Sequence, residues 1–256
     1  LANHSSQLQG SFARLSSGLR IVSAADDPAG LGISERMRSE IRSLQMAQRN
    51  AQDGISLVQT AEGALSEVNS NLVRMRELAM ESANGTLNSS DRTSLNAEFT
   101  ELINEIERIA ETTTFNGISL VDGTAATVDI QTGIAAGQTI TVDLTNTDIV
   151  TLDIDVLSIL TAASSSTALG VIDRAVNTVV GFRGELGASQ NRMASAMRSI
   201  ATSVENLASA ESRIRDVDVA AETATLTRNQ ILQQASASIL AQANQQPQIA
   251  LSLLQG

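Results

Sequence analysis

Apolar residues return every seven positions at Met37, Leu44, Ala51, Val58, Leu65, Leu72 and Ala79, with Ile41, Ile55, Ala61, Val68 and Met75 filling the shorter steps between them. Spacing of this kind keeps one stripe of a helix apolar over many turns, as in a helix packed lengthwise against another. Asp27 and Pro28 precede the stripe as an N-cap and a first-turn proline, and Asn84-Gly85 follows it as a turn. The pattern predicts one helix from about Pro28 to Ser82, roughly 80 Å long at the usual rise per residue. A compact sphere of 256 residues would be only about 45 to 50 Å across, so an elongated rod is expected.

A second stripe runs through Ile172, Val176, Val179, Arg183, Leu186, Gln190, Met193, Met197, Ile200, Val204, Leu207, Glu211 and Ile214, alternating steps of four and three. Its polar members, Arg183, Gln190 and Glu211, are placed to fix register. A shorter helical pattern, Leu95, Phe99, Leu102, Ile103, Ile106 and Ile109, lies between the two, with Ser90 expected as its cap and Asp91 in its first turn. From about Thr112 to Ser166 the period changes to two. Thr127 to Gln131 and Gln138 to Leu144 alternate apolar and polar residues around a glycine-containing turn, which predicts a β-hairpin. Six Asp and no basic residue lie between Asp122 and Asp155, so this stretch is expected as an exposed acidic insertion.

The two ends differ from the middle. No charged side chain occurs from Asn229 to Gly256, where eight residues are Gln, and the first thirteen residues carry no titratable side chain except His4. Ile231, Leu232, Ala235, Ile239, Ala243 and, beyond Pro247, Leu251, Leu253 and Leu254 supply apolar contacts, and the Gln and Asn between them can hydrogen-bond to neighbouring copies without the cost of desolvating charge. Such a segment is too polar to cross a bilayer and expects a protein partner. The organisation predicted is mainly α: residues 1–27 and 217–256 as paired terminal helical segments, 28–111 and 167–216 as a helical rod, and 112–166 as its β-hairpin-rich insertion.

Composition narrows the function. The chain has no Trp, Tyr or Cys and four Phe, and its apolar set of Ala, Leu, Ile and Val suits narrow helix seams. All 17 basic residues are Arg against 28 acids, and the net charge of −11 argues against a nucleic-acid partner. Absence of Cys excludes disulfide and thiolate chemistry, and no positively charged and then apolar leader opens the sequence. Asp26-Asp27 is a carboxylate pair, but helix capping already accounts for Asp27. A lone His4 cannot build a zinc site. Asp148, Asp153 and Asp155 lack the glycine-centred calcium loop with its terminal Glu. No HExxH, P-loop or GxSxG run is present, so neither a cofactor nor an enzymatic activity is expected.

Several strings carry a family resemblance. Leu15-Ser16-Ser17-Gly18-Leu19-Arg20-Ile21, Ala24-Ala25-Asp26-Asp27-Pro28-Ala29-Gly30-Leu31, Asn50-Ala51-Gln52-Asp53-Gly54-Ile55-Ser56-Leu57 and Arg76-Glu77-Leu78-Ala79 resemble the N-terminal part of bacterial flagellin. Phe115-Asn116-Gly117, Ser212-Arg213-Ile214-Arg215-Asp216-Val217-Asp218 and Gln230-Ile231-Leu232-Gln233-Gln234-Ala235 continue it in order. The family pattern begins upstream of Leu1, and the large outer domains of longer flagellins are reduced here to the hairpin region.

The resemblance implies a secreted, extracellular homopolymer subunit that is exported unfolded by the flagellar type III apparatus, with an export chaperone and a capping protein as partners. It implies that the terminal segments line the inner tube of the filament. Arg74, Leu78 and Glu81 form a stripe on the long helix, and with Glu98 they match the place where neighbouring subunits, and the animal Toll-like receptor for flagellin, touch family members. Val73 and Glu81 stand where receptor-stimulating members commonly have Gln. Competing readings are a hook-filament junction protein, which shares the helical ends, and an acidic coiled-coil adaptor, which would not explain two uncharged termini.

Overall fold

The computed structural model describes the chain from Ala2 to Leu254, with side chains described from Asn3 to Ala243. Most of the described residues lie in the helices α1 (Ala2–Ser17), α2 (Pro28–Ala83), α3 (Ser89–Thr112), α4 (Ala162–Arg215) and α5 (Val219–Leu254). Two small antiparallel pairs join α3 to α4: β1 (Thr114–Phe115) with β2 (Ile118–Ser119), and β3 (Thr127–Gln131) with β4 (Thr139–Asp143). In the second pair Val128 faces Val142 and Ile130 faces Ile140.

Capping chemistry sets the helix starts. Asp27 Oδ1 accepts from the Ala29 and Gly30 amides at 3.1 and 2.9 Å, so α2 begins at the expected proline. The start of α3 differs from expectation: its cap is Asn88, not Ser90. Asn88 Oδ1 accepts from the Asp91 amide at 3.0 Å, and Asp91 Oδ2 accepts from the Asn88 amide at 3.2 Å. This reciprocal box satisfies two otherwise orphaned donors, and only a cap three residues before Asp91 can make it.

Packing divides the chain into two compact units, Ser43–Thr202 on the one hand and Leu1–Arg42 with Ser203–Gly256 on the other. In the unit Ser43–Thr202 the predicted seams close on one core. Val58, Leu65, Leu72 and Met75 of α2, Phe99 and Ile106 of α3, and Ile172, Val179, Leu186 and Met193 of α4 are all at most 1% exposed. Polar links on the rim join the same helices: Arg76 Nε donates to Asp173 at 2.7 Å, and Arg183 lies 3.6 Å from Glu62.

The insertion is not the wholly exposed appendage that its charge suggested. Leu120, Val121, Ile140, Val142, Leu152, Ile154 and Ile159 are buried in the same core as the helices. The alternation explains this: β4 turns Ile140 and Val142 inward and Asp143 outward, so the strand closes an apolar side that the helices leave open while its acids stay solvated. The absence of a side chain at Gly54 lets the hairpin sit close, since a Cβ there would lie 2.7 Å from Met193 Sδ and 3.0 Å from Ile130 Cγ1. Asn50 Nδ2 donates to the Gln131 carbonyl at 3.1 Å beside this notch.

In the unit Leu1–Arg42 with Ser203–Gly256, α1 and α5 run with their backbones close together. Gly18, with φ 72°, ends α1 in the left-handed conformation that glycine adopts without strain. The chain then bridges to the end of α4 through Arg20 N to Arg215 O at 2.6 Å and Val217 N to Gly18 O at 3.0 Å. The Arg20 guanidinium donates to the Ile214 carbonyl at the C-terminus of α4, a favourable position for a cation.

Because Ile154 is wholly buried in the shared core, Ile154→Ala should lower unfolding stability by about 2 to 5 kcal/mol in denaturant titration of the full chain. An unchanged midpoint would return the insertion to a mere surface loop.

Candidate assembly surface

Along α5 the buried or half-buried positions are Glu222, Leu226, Asn229, Gln233 and Ser236, at helical spacing. On α1 they include His4, Ser5, Leu8, Ser11, Arg14 and Leu15. The seam between the two helices is therefore mostly polar. Ser11 and Asn229 are 0% and 9% exposed, and Leu8 is the one apolar side chain fully covered on either helix among the described residues. Gln233, expected to bond to neighbouring copies, lies instead half-buried on the same side of α5 as the buried Asn229.

The apolar residues point the other way. Phe12 is 54% exposed, Ile231 61%, Leu232 42%, Ile239 66% and Leu240 52%, and Ala235 and Ala243 are exposed beside them. An amphipathic helix ordinarily turns its apolar stripe to its own core; α1 and α5 reserve theirs for something outside the subunit. Leu251, Leu253 and Leu254 lie outside the described side chains.

An ion pair fixes the register of this polar seam. Arg14 Nε and Nη2 donate to Glu222 Oε1 at 3.1 and 2.9 Å, with the two side chains 28% and 14% exposed. The hydrogen bond from Arg14, together with Ser11, holds the Glu222 carboxyl below the ordinary glutamate range. Glu35 is lowered in the same way by the Arg215 guanidinium. Sequence reasoning did not find either pair, although Arg14 and Glu222 are isolated charges beside uncharged segments.

On α2 the predicted stripe is altered. Arg74 and Glu81 are exposed, and Arg74 donates to Glu98 and Glu77 at 2.8 and 2.9 Å. Leu78 is 1% exposed and belongs to the core. It lies three residues after Met75 and six after Leu72, on the flank of the buried stripe and inside the shared core, so Val73 and Met80, 44% and 55% exposed, supply the apolar surface there instead.

The remaining candidates are occupied by local structure. Asp26 accepts from the Val22 and Ser23 amides and from the Ser23 hydroxyl, and these hydrogen bonds, led by the Ser23 amide, lower its carboxyl. Asp148 accepts from the Thr151 amide at 2.6 Å, and Asp153 lies 3.5 Å from Arg174. No helix among the described residues is long and apolar enough to cross a membrane.

Two family models match the chain: the bacterial flagellin N-terminal helical region over residues 1–126 and the C-terminal helical region over 169–254. The flagellin of Halalkalibacterium halodurans is 50% identical over 250 residues, covering 97% of this chain and 92% of that protein. The flagellin of Bacillus subtilis is 43% identical over 288 residues, covering 99% and 95%. Among solved structures, the crystal structure of Bacillus cereus flagellin has a TM-score of 0.55 and 34% identity, covering 59% of this chain and 88% of that one. A flagellar hook-associated protein from Vibrio parahaemolyticus has a TM-score of 0.63 at 20% identity, covering 75% and 100%, a likeness of fold alone.

Because the Glu222 carboxyl is lowered from its ordinary value of 4.5 in the folded chain, its pairing contributes stability that is complete above about that pH and is lost as pH falls through the lower folded value. Amide protection in α1 and the start of α5, taken relative to the intrinsic exchange rate at each pH, should therefore fall on acidification below about pH 4.5. Glu222→Gln should flatten that contribution, and an unchanged acid response in this variant would show that the pair does not set the seam.

Proposed function

Since this chain belongs to the bacterial flagellin family and is a structural subunit of the flagellar filament, we propose that the outward apolar faces of α1 and α5 are its assembly surface, covered by other copies of the same chain. The observation that carries this reading is the reversed amphipathicity of the two terminal helices, whose polar residues meet each other while Phe12, Ile231, Leu232 and Ile239 face solvent. Burial of such side chains is favourable by about 1.5 to 3 kcal/mol each, repeated at every subunit. Residues 1–27 and 217–256 form the inner layer of the polymer in this reading, with 28–111 and 167–216 outside it and 112–166 as the inserted hairpin region.

The same exposed surface calls for protection before assembly. The chain is exported through the flagellar apparatus to the outside of the cell. An export chaperone covers the apolar side of α5, and a capping protein receives the subunit at the filament tip. A junction-protein role is not favoured, because relatives at 50% and 43% identity are flagellins. A structural family of this kind gives no support to catalysis. The Arg74–Glu98 pair with Glu81 serves contact between copies. An animal Toll-like receptor approaching this face would meet Val73 and Met80 in place of Leu78.

Leu232→Asp combined with Ile239→Asp would bury two unpaired carboxylates per subunit, a penalty of several kcal/mol each. The expected outcome is a soluble monomer with the helical circular dichroism of the parent that does not elongate seeded filaments under electron microscopy. Elongation at the parent rate would remove these faces from the assembly surface.

A further inference from the structure

The unit Ser43–Thr202 contains nine of the arginines and nineteen of the acids, so −10 of the net charge of −11 falls within it. Most of those arginines are committed. Arg74, Arg76, Arg108, Arg174 and Arg183 have carboxylate partners, and Arg92 donates to the Asn84 and Leu87 carbonyls. Arg49, Arg192 and Arg198 are exposed and have no carboxylate partner among the described residues.

Arg49 and Arg198, but not Arg192, line two adjoining spaces. Between α2 and α4 lies a space of about 360 Å³ lined by Gln52, Ile55, Ala194, Met197, Arg198 and Ala201. It shares Gln48, Gln52 and Met197 with a second space of about 310 Å³ that Arg49 lines. An apolar slot edged by unpaired guanidinium groups fits an apolar side chain that carries a carboxylate next to it.

The same unit presents such a group elsewhere. Val156 is 80% exposed and Val150 68%, and the exposed Asp155 immediately precedes Val156. The segment is held in place from below: Ile154 and Ile159 are fully buried, the Ile154 amide donates to the Ile149 carbonyl at 2.9 Å, and the Ile159 amide donates to Asn96 Oδ1 at 2.9 Å. A loop ordered in advance loses little entropy when it docks. It cannot reach its own cleft. The Ile159 carbonyl accepts from Ser82 Oγ, and Ser82 lies thirty residues beyond Gln52 on the same helix, about 45 Å away.

We propose that these two surfaces join successive copies head to tail, with Val156 of one copy entering the Ile55–Met197 cleft of the next and Asp155 meeting Arg198. The occupant is a second copy of this chain. Contact between two unlike surfaces does not close on itself and so continues as a filament. This rests on the polymerisation reading above and adds which faces meet in the unit Ser43–Thr202, with successive copies displaced by about 45 Å along α2.

The natural absence of cysteine makes the contact directly testable. Filaments seeded from a Val156→Cys/Ala201→Cys double variant, oxidised and run on a denaturing gel, should give a ladder of dimers, trimers and longer species, while each single variant gives monomer. Filaments of the double variant without a ladder would overturn the proposal, as would dimers from Val156→Cys alone, which mark a loop-to-loop contact. Parent protein elongated in parallel separates failure of this contact from failure of polymerisation itself. Should the double variant not elongate, the charge pair decides. Arg198→Glu and Asp155→Arg should each raise the critical concentration about fivefold or more, and their combination should bring it back to within about twofold of the parent. Absence of that rescue overturns the proposal.

Discussion

Everything in this chain is built around a core that holds a single wholly buried aromatic side chain among the described residues. With no Trp or Tyr, and with Phe99 the one phenylalanine wholly buried among the described residues, burial has to come from many aliphatic side chains, each contributing about 1.5 to 3 kcal/mol. Aliphatic stripes pack best where long helices lie side by side, which accounts for helices of 56 and 54 residues in α2 and α4. A seam of that kind leaves flanks open, and the inserted strands close one of them with Ile140 and Val142. The close approach at Gly54 and the bond from Asn50 to the Gln131 carbonyl hold the hairpin where those side chains are needed.

The terminal helices obey a different rule. Their mutual seam is mostly Ser, Asn, Gln and one ion pair, with Leu8 its one fully covered apolar side chain; the polar contacts set register but add little net stability, since an intramolecular hydrogen bond contributes only about 0.5 to 1.5 kcal/mol. The Arg14–Glu222 pair and the backbone bridge from Gly18 and Arg20 to Arg215 and Val217 align α1 with α5. None of these contacts consumes the apolar side chains. A subunit that buried Ile231 and Ile239 within itself would be more stable alone and would have less to offer a neighbour.

Periodicity made the fold legible because a stripe sustained over many turns has few alternative readings. The span of α2, the hairpin strands and the uncharged ends could all be read from residue spacing. Four features could not. The cap of α3 depended on a reciprocal Asn88–Asp91 geometry that competes locally with Ser90. Leu78 has the spacing from Arg74 and Glu81 of a surface stripe; only the packing of the other elements on α2 shows that this flank is covered. The insertion was read from its charge, yet alternation puts acids and core residues on opposite sides of the same strand, so an acidic composition says nothing about the inner face. The Arg14–Glu222 contact joins positions 208 residues apart, a separation that no local pattern reports.

Charge then limits how copies of this chain can meet. The unit Ser43–Thr202 carries −10, and identical units brought together repel wherever their separation is less than the screening length of about 8 Å at physiological ionic strength. Two kinds of surface escape that repulsion. One is uncharged, as α5 is beyond Arg228 and α1 is before Arg14. The other places an unpaired guanidinium opposite a carboxylate, and in this unit only Arg49, Arg192 and Arg198 among the described residues lack a carboxylate or carbonyl partner of their own. Arg49 and Arg198 stand beside an apolar cleft rather than on an open helix face. An attraction confined to one spot on an otherwise repelling body selects a single register, which is what a regular polymer requires of its subunit.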